Sequence, residues 1–177
     1  IRAINHIVYY NSADVINMSF GSYAPHTATH QAIQAANAEG IICVAAAGNE
    51  EMAQMAFPAG YEETIAVSAV DSTKALASFS NVGSNITFAA PGVNIRSING
   101  IMSGTSMAAP HVAVAVAILK GYNKDINKEK AVEILKEHAV DLGTTGWDHK
   151  FGYGFISFTS FTYCECKCDS CYSINCS

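Results

Sequence analysis

The chain of 177 residues is 50% hydrophobic and 14% charged, with a net charge of -5, which fits one core-rich domain or the larger part of one and excludes disorder for its bulk. Its 10 Lys plus Arg and the lack of any basic run leave no electrostatic footprint for nucleic acid. The longest apolar run, Val112 to Leu119, falls far short of the ~20 residues that span a bilayer, and the start, Ile1 with no signal-peptide pattern, reads as the interior of a longer chain.

In chain order, the first strand is expected at Asp14 to Met18, a nearly continuous apolar run of the kind buried on both faces. Thr27 to Asn37 follows as a helix with Ile33 and Ala36 on one face, stopped at Gly40. Ile41 to Ala45 and Thr64 to Val70 are two further buried strands, and Ile86 to Ala89 is a fourth. Ser106 to Gly121 reads as a long buried helix, and a last helix starts at the capping residue Asn127 and runs to His138. Strands alternating with helices predict an α/β fold, a mainly parallel sheet with helices on both faces. No internal repeat is present, and the one odd segment is the Cys-rich end.

In such sheets the working loops lie beyond the carboxyl ends of the strands. Three segments there can carry chemistry. Ser103 to His111 leads into the long helix, where a serine has its hydroxyl and backbone N–H near the positive end of the helix dipole, suited to a nucleophile that passes through an oxyanion. Pro110 has no N–H, so the carbonyl of Ser106 loses its helical partner four residues on. The bland alternative is that Ser106 only caps the helix. Ala45 to Glu50 leaves the second strand on small residues, with the Asn49 amide as a donor at the strand exit; its bland reading is a turn. Asn17 to Ser22 is a strand running into a Gly-containing exit that could pair with an extended peptide, or be no more than a sheet edge.

Together with Thr64-Ile65-Ala66-Val67, Ala77-Ser78-Phe79-Ser80, Ala90-Pro91-Gly92-Val93 and Phe151-Gly152-Tyr153-Gly154, these segments stand in the order of similar motifs in the subtilisin-like serine proteases, and the chain resembles that family from about Ala3 to Phe155. The resemblance implies a serine endopeptidase that hydrolyses peptide bonds through an acyl-enzyme. Ser106 would be the nucleophile, with its backbone N–H and the Asn49 side chain forming the oxyanion hole. Ser19, Phe20 and Gly21 would pair with the substrate backbone. Ala46, Ala47, Gly48 and Glu50 would line the pocket for the residue before the scissile bond, which small walls suit to a large apolar side chain and the Glu50 rim to a basic one. Polypeptide substrates are implied, and a prodomain or inhibitor in the family manner, in an extracellular setting with a cytosolic one as the alternative. No cofactor is required; a structural calcium or another cation would sit on the carbonyls of Ala59, Tyr61 and Thr64. The Phe57-Pro58 bond is expected to be cis, again by resemblance.

Departures from the family pattern matter as much. The family's triad runs Asp, His, Ser along the chain, and the Asp and His motifs belong upstream of Asp14, where Ile1 leaves no room. His111 lies five residues past Ser106 on one helix, about 140° around it. His26 and His30 have metal-ligand spacing without a third ligand, and read as solvated helix-face residues. The expectation is that residues 1–160 form the carboxyl-terminal part of the catalytic domain, incomplete at its amino-terminal side and inactive alone, with an exposed apolar sheet edge. The alternative is a pseudoprotease or peptide-binding module using the same groove. A nucleotide-binding domain is set aside because both glycine fingerprints are missing. Val114, where the family often has Gly, predicts locally widened helix packing, and the segment from Gly92 to Gly104 looks short. Residues 161–177 carry Cys164, Cys166, Cys168, Cys171 and Cys176 and read as the start of a disulfide-rich module, a thiolate metal site, or an unstructured or mistranslated end.

Overall fold

The computed structural model of the chain describes residues 1–157. Its elements are α1 (Arg2–Tyr10), β1 (Val15–Met18), α2 (Thr27–Ala38), β2 (Ile42–Ala46), β3 (Thr64–Val70), β4 (Ile86–Pro91), β5 (Ile95–Ser97), β6 (Gly100–Met102), α3 (Thr105–Tyr122) and α4 (Lys128–His138). Strands β1 to β4 form one sheet in that order, every neighbouring pair parallel, and β5 with β6 forms a separate antiparallel hairpin. The expected strands and helices are present, displaced by a residue or two at their ends. The Phe57-Pro58 bond is cis.

Side-chain alternation along the strands divides the interior in two. Ile42, Val44 and Ala46 of β2, with Ile65, Val67 and Phe88, face α3 and α4. Cys43, Ala45 and Ala47, with Ala66 and Ile86, face α1 and α2. Both faces are therefore covered, which is why the strands carry no polar alternation. The buried polar side chains of β3 have partners: Ser68 Oγ donates to the Lys150 carbonyl at 2.6 Å, and Thr64 lies among the carbonyls of Pro58, Ala59 and Tyr61.

Two elements escaped the sequence reading. In α1, Ile4, Ile7 and Val8 recur at helical spacing and pack into the cluster beneath α2, while Asn11 stops the helix in the left-handed region at φ 46°; β-branched and aromatic residues with weak helix propensity hid it. The short segment after Gly92 folds into the β5–β6 hairpin, whose tip presents a fully exposed Ile98.

Strand β1 forms one edge of the sheet, its Val15 and Ile16 half-buried and Asn17 exposed. At the other edge, β4 is covered by the Phe151-Gly152-Tyr153-Gly154 segment: Tyr153 N–H donates to the Thr87 carbonyl, and Ala89 N–H donates to the Gly154 carbonyl, both at 2.9 Å. A Cβ on Gly152 would fall on the Thr87 carbonyl, and φ there is 60°, so this close approach requires glycine. The expected widening around Val114 does not occur. Val114 is 51% exposed on the outer face of α3 while Val112, Ala113 and Ala115 point inward, so the larger residue presses on nothing. The cysteines of residues 161–177 lie outside the described residues; Cys43, within them, is a buried free thiol.

Candidate active site

At the carboxyl end of the sheet, the exits of β1 and β2 meet the amino-terminal turn of α3. The helix starts after Gly104, which has no side chain to cap it. Asn49 does the capping from outside: its Oδ1 accepts the Thr105 N–H at 2.8 Å and the Thr105 hydroxyl at 2.9 Å. Thr105 Oγ1 in turn accepts the Gly48 N–H at 3.1 Å. With Oδ1 held on the helix, the rotamer of Asn49 is fixed and its Nδ2 is left over. Among the described residues neither Asn49 Nδ2 nor the Ser106 N–H has a hydrogen-bond partner. Two fixed donors that the protein does not use, beside a hydroxyl, are what stabilising a developing oxyanion demands.

Ser106 is the second residue of the helix and not its cap. Its Oγ donates to the Ser19 carbonyl at 3.2 Å, and Ser19 Oγ donates to the Ser106 carbonyl at 2.9 Å. The hydroxyl proton thus rests on a main-chain carbonyl, which is no base. No histidine among the described residues is hydrogen-bonded to it. His111 Nδ1 donates to the Met107 carbonyl one turn back at 2.9 Å. His26 caps α2 by accepting the Thr29 N–H. His30 pairs with Glu63 at 2.8 Å and stacks on Tyr61 with ring centroids 4.1 Å apart. Burial pushes the Glu63 carboxyl up, and the Gln34 amide, its own backbone N–H and His30 more than offset this, leaving it below the usual carboxylate range. No group of three His, Cys, Asp or Glu able to hold a metal occurs among the described residues.

A cavity of about 170 Å³ opens beside Ser106, lined by Phe20, Gly21, Tyr23, Ala46, Gly48, Asn49, Glu50, Ala56, Thr105 and Ser106. The sequence-derived residues Phe20, Gly21, Ala46, Gly48, Asn49, Glu50 and Ser106 converge there, and Ser19 adjoins them through its bonds to Ser106. Ala47 does not line it. Successive side chains of an extended segment point to opposite faces, so Ala46 faces the cavity and Ala47 is fully buried in the cluster on the α2 side.

Asn81, fully buried, shapes the cavity wall and was not found from sequence. Its Oδ1 accepts the N–H groups of Glu50 and Met52 at 3.0 Å each, and its Nδ2 donates to Tyr23 Oη at 2.8 Å, to the Ala47 carbonyl at 3.3 Å and to Glu50 Oε2 at 3.2 Å. Glu50 Oε2 also accepts the Asn49 N–H at 2.7 Å, so the carboxylate is drawn into the loop. A Cβ on Gly48 would collide with the Asn81 amide, and φ there is 110°, so the loop carrying Asn49 is fitted around Asn81. Thr105, the second residue missed, stands one position from the serine in a motif where only the serine attracted notice.

Of the three carbonyls expected to hold a cation, those of Ala59 and Tyr61 each accept a hydrogen bond from Asn85 Nδ2 at 2.8 Å and face the Thr64 hydroxyl, so neutral donors already occupy them. A larger cavity of about 530 Å³ lies elsewhere, between α4 and the β3–β4 region, and includes Thr64, Asn85, Lys128 and Trp147.

The parallel α/β layer thus sets a serine at a helix amino terminus with a side-chain amide beside it. Residues 1–154 match the Subtilase family (Peptidase S8), and the chain belongs to that family. It is 39% identical over 154 residues to the Minor extracellular protease Epr of Bacillus subtilis (strain 168), covering 84% of this chain and 24% of that protein. It is 40% identical over 156 residues to Subtilisin DY of Bacillus licheniformis, covering 83% and 56% respectively. A solved protease from Pseudoalteromonas arctica PAMC 21717 superposes with a TM-score of 0.74 at 32% identity, over 85% of this chain and 50% of that one. The chain thus spans between a quarter and just over half of the length of these relatives.

Proposed function

We propose that this chain is the part of a serine endopeptidase that carries the nucleophile, the oxyanion hole and the wall of the pocket for the residue before the scissile bond. Ser106 Oγ attacks the peptide carbonyl, its proton leaves to a general base, and the carbonyl oxygen, now an oxyanion, takes hydrogen bonds from the Ser106 N–H and Asn49 Nδ2. Collapse of the adduct expels the amine and leaves the acyl group on Ser106 until water removes it. Serine and these two donors need no cofactor. The observation that carries the reading is the fixing of Asn49 by Thr105, which leaves one amide donor beside one free helix N–H.

The base and the acid that orients it come from outside residues 1–157, in the family's order from an upstream Asp and His. Substrates are polypeptides whose backbone extends along Ser19 to Gly21, with one side chain in the small-walled cavity. Because Glu50 is tied to Asn49 and Asn81, that side chain is apolar in preference to basic. Secretion follows the relative whose name marks it as extracellular, and a prodomain or inhibitor would occupy the same groove. The second reading, a module that binds extended peptides without cleaving them, draws on the Ser106 proton resting on Ser19.

The test is hydrolysis of a fluorogenic peptide by residues 1–177 alone and by a form extended upstream in its parent sequence. The proposal expects turnover only in the extended form, lost with Ser106→Ala. Substantial Ser106-dependent turnover by the short form would remove the need for an external base, and binding without turnover in the extended form would favour the peptide-binding module.

A further inference from the structure

The site contains a pairing that the chemistry just described does not use. Pro110 lies inside α3 and has no N–H, so the Ser106 carbonyl is denied the donor four residues on that every neighbouring helical carbonyl receives. In the structure that vacancy is filled from another element: Ser19 Oγ donates to the Ser106 carbonyl at 2.9 Å, across 87 positions of sequence. Asn17 Nδ2 donates to Ser19 Oγ at 3.0 Å. A hydroxyl has one proton and two lone pairs, so an Asn17 bond into the oxygen leaves the proton free for Ser106.

We infer that Ser19 is a positioning residue for the nucleophile, standing in for the helix donor that Pro110 removes, and that Asn17 orients it. The peptide plane after Ser106 is then held by Ser19, and the plane two before it by the bond from Thr105 N–H to Asn49 Oδ1 at 2.8 Å. With both flanks pinned, the Cα–Cβ direction of Ser106 and the aim of its N–H are fixed together. The arrangement explains why a proline is tolerated one turn into a helix that must present a reactive residue: the carbonyl it orphans becomes the handle by which the exit of β1 grips the serine. This inference rests on the reading of Ser106 as nucleophile, but its physical content is a hydrogen bond that is measured without any turnover.

The experiment uses the 177-residue chain and a double-mutant cycle of Ser19→Ala with Pro110→Ala. Restoring an N–H at position 110 gives the Ser106 carbonyl its own helix donor, so the two substitutions must couple. Ser19→Ala in the Pro110 background is expected to raise the unfolding equilibrium constant about tenfold, the effect of an acceptor left unpaired, and less than about threefold in the Pro110→Ala background. Alongside, the Ser106 carbonyl ¹³C resonance is expected to move upfield in Ser19→Ala, to return in Ser19→Thr, which keeps the hydroxyl, and to move part of the way in Asn17→Ala. A general packing role for Ser19 would not move that resonance in this pattern. Equal costs of Ser19→Ala in the two backgrounds overturn the inference, as does an unmoved carbonyl resonance. If Pro110→Ala does not fold, the resonance alone decides. None of these readings depends on catalysis, so loss of the protease proposal and loss of this inference are told apart.

Discussion

Replacing Asn81 with alanine tests whether the cavity wall is held as described. The side chain is fully buried and makes five hydrogen bonds. Truncation leaves the N–H groups of Glu50 and Met52 without an acceptor and Tyr23 Oη without its donor. The Ala47 carbonyl keeps the Ala56 N–H at 2.9 Å and is not orphaned. An unsatisfied buried group costs about 1–3 kcal/mol. Glu50 and Met52 are themselves exposed at the surface, so water recovers part of the loss, and the expected total is about 2–4 kcal/mol. For a chain of this size each kcal/mol moves the melting temperature by roughly 2–4 °C, which gives a fall of roughly 5–15 °C in a calorimetric scan. Asn81→Asp keeps the acceptor for both N–H groups and loses the donors to Tyr23, Ala47 and Glu50, so it should separate the two halves of the network. A melting temperature for Asn81→Ala within about 2 °C of the parent would refute the assignment of Asn81 as the anchor of the loop that carries Asn49.

Two further outcomes follow from titrating groups. Burial pushes the Cys43 thiol up from 9.0 to about 12, so iodoacetamide at pH 8 should leave Cys43 unmodified in the folded chain and modify it in urea, read by peptide mapping; its contribution to stability is complete below about 9 and declines as pH rises from there through about 12. Burial also pushes the Asp148 carboxyl up, but the N–H groups of Phe151, Lys150 and Thr144 more than offset this and hold it below the usual carboxylate range. Its contribution is therefore present above the unfolded value of about 4 and lost as pH falls through the lower folded one, so Asp148→Ala should flatten the acid limb of a stability–pH profile; an unchanged limb would contradict the geometry.

The sheet was legible because β2 and β3 are buried on both faces, and an unbroken apolar run between turn residues has few other interpretations. Helix α1 was not, since its Ile, Val and Tyr residues favour strands by local propensity and only packing against α2 makes them helical. Within the site, Ser106 and Asn49 stood out because each sits in a motif at an element boundary. Asn81 and Thr105 did not: their roles are acceptor and donor assignments across 31 and 56 positions of sequence, and no local pattern encodes which distant N–H a buried amide will meet. Ala47, the first residue past β2, turns into the cluster on the α2 side because side chains alternate at the strand exit, which the run of small residues does not reveal. A cation on the carbonyls of Ala59, Tyr61 and Thr64 is implied by the family resemblance alone, and no local pattern announces that Asn85 donates into two of them.

The central claim is that Ser106 forms an acyl-enzyme once a base is supplied. The direct measurement is an acid quench of the upstream-extended protein during turnover of a peptide ester, followed by peptide mapping by mass spectrometry. The account predicts the acyl mass on the peptide containing Ser106, accumulating less in Asn49→Ala because acylation itself is slowed; in the subtilisin type case, losing one such donor slows turnover about 10²–10³-fold. Turnover that persists in Ser106→Ala, or an adduct carried by any other residue, would contradict it.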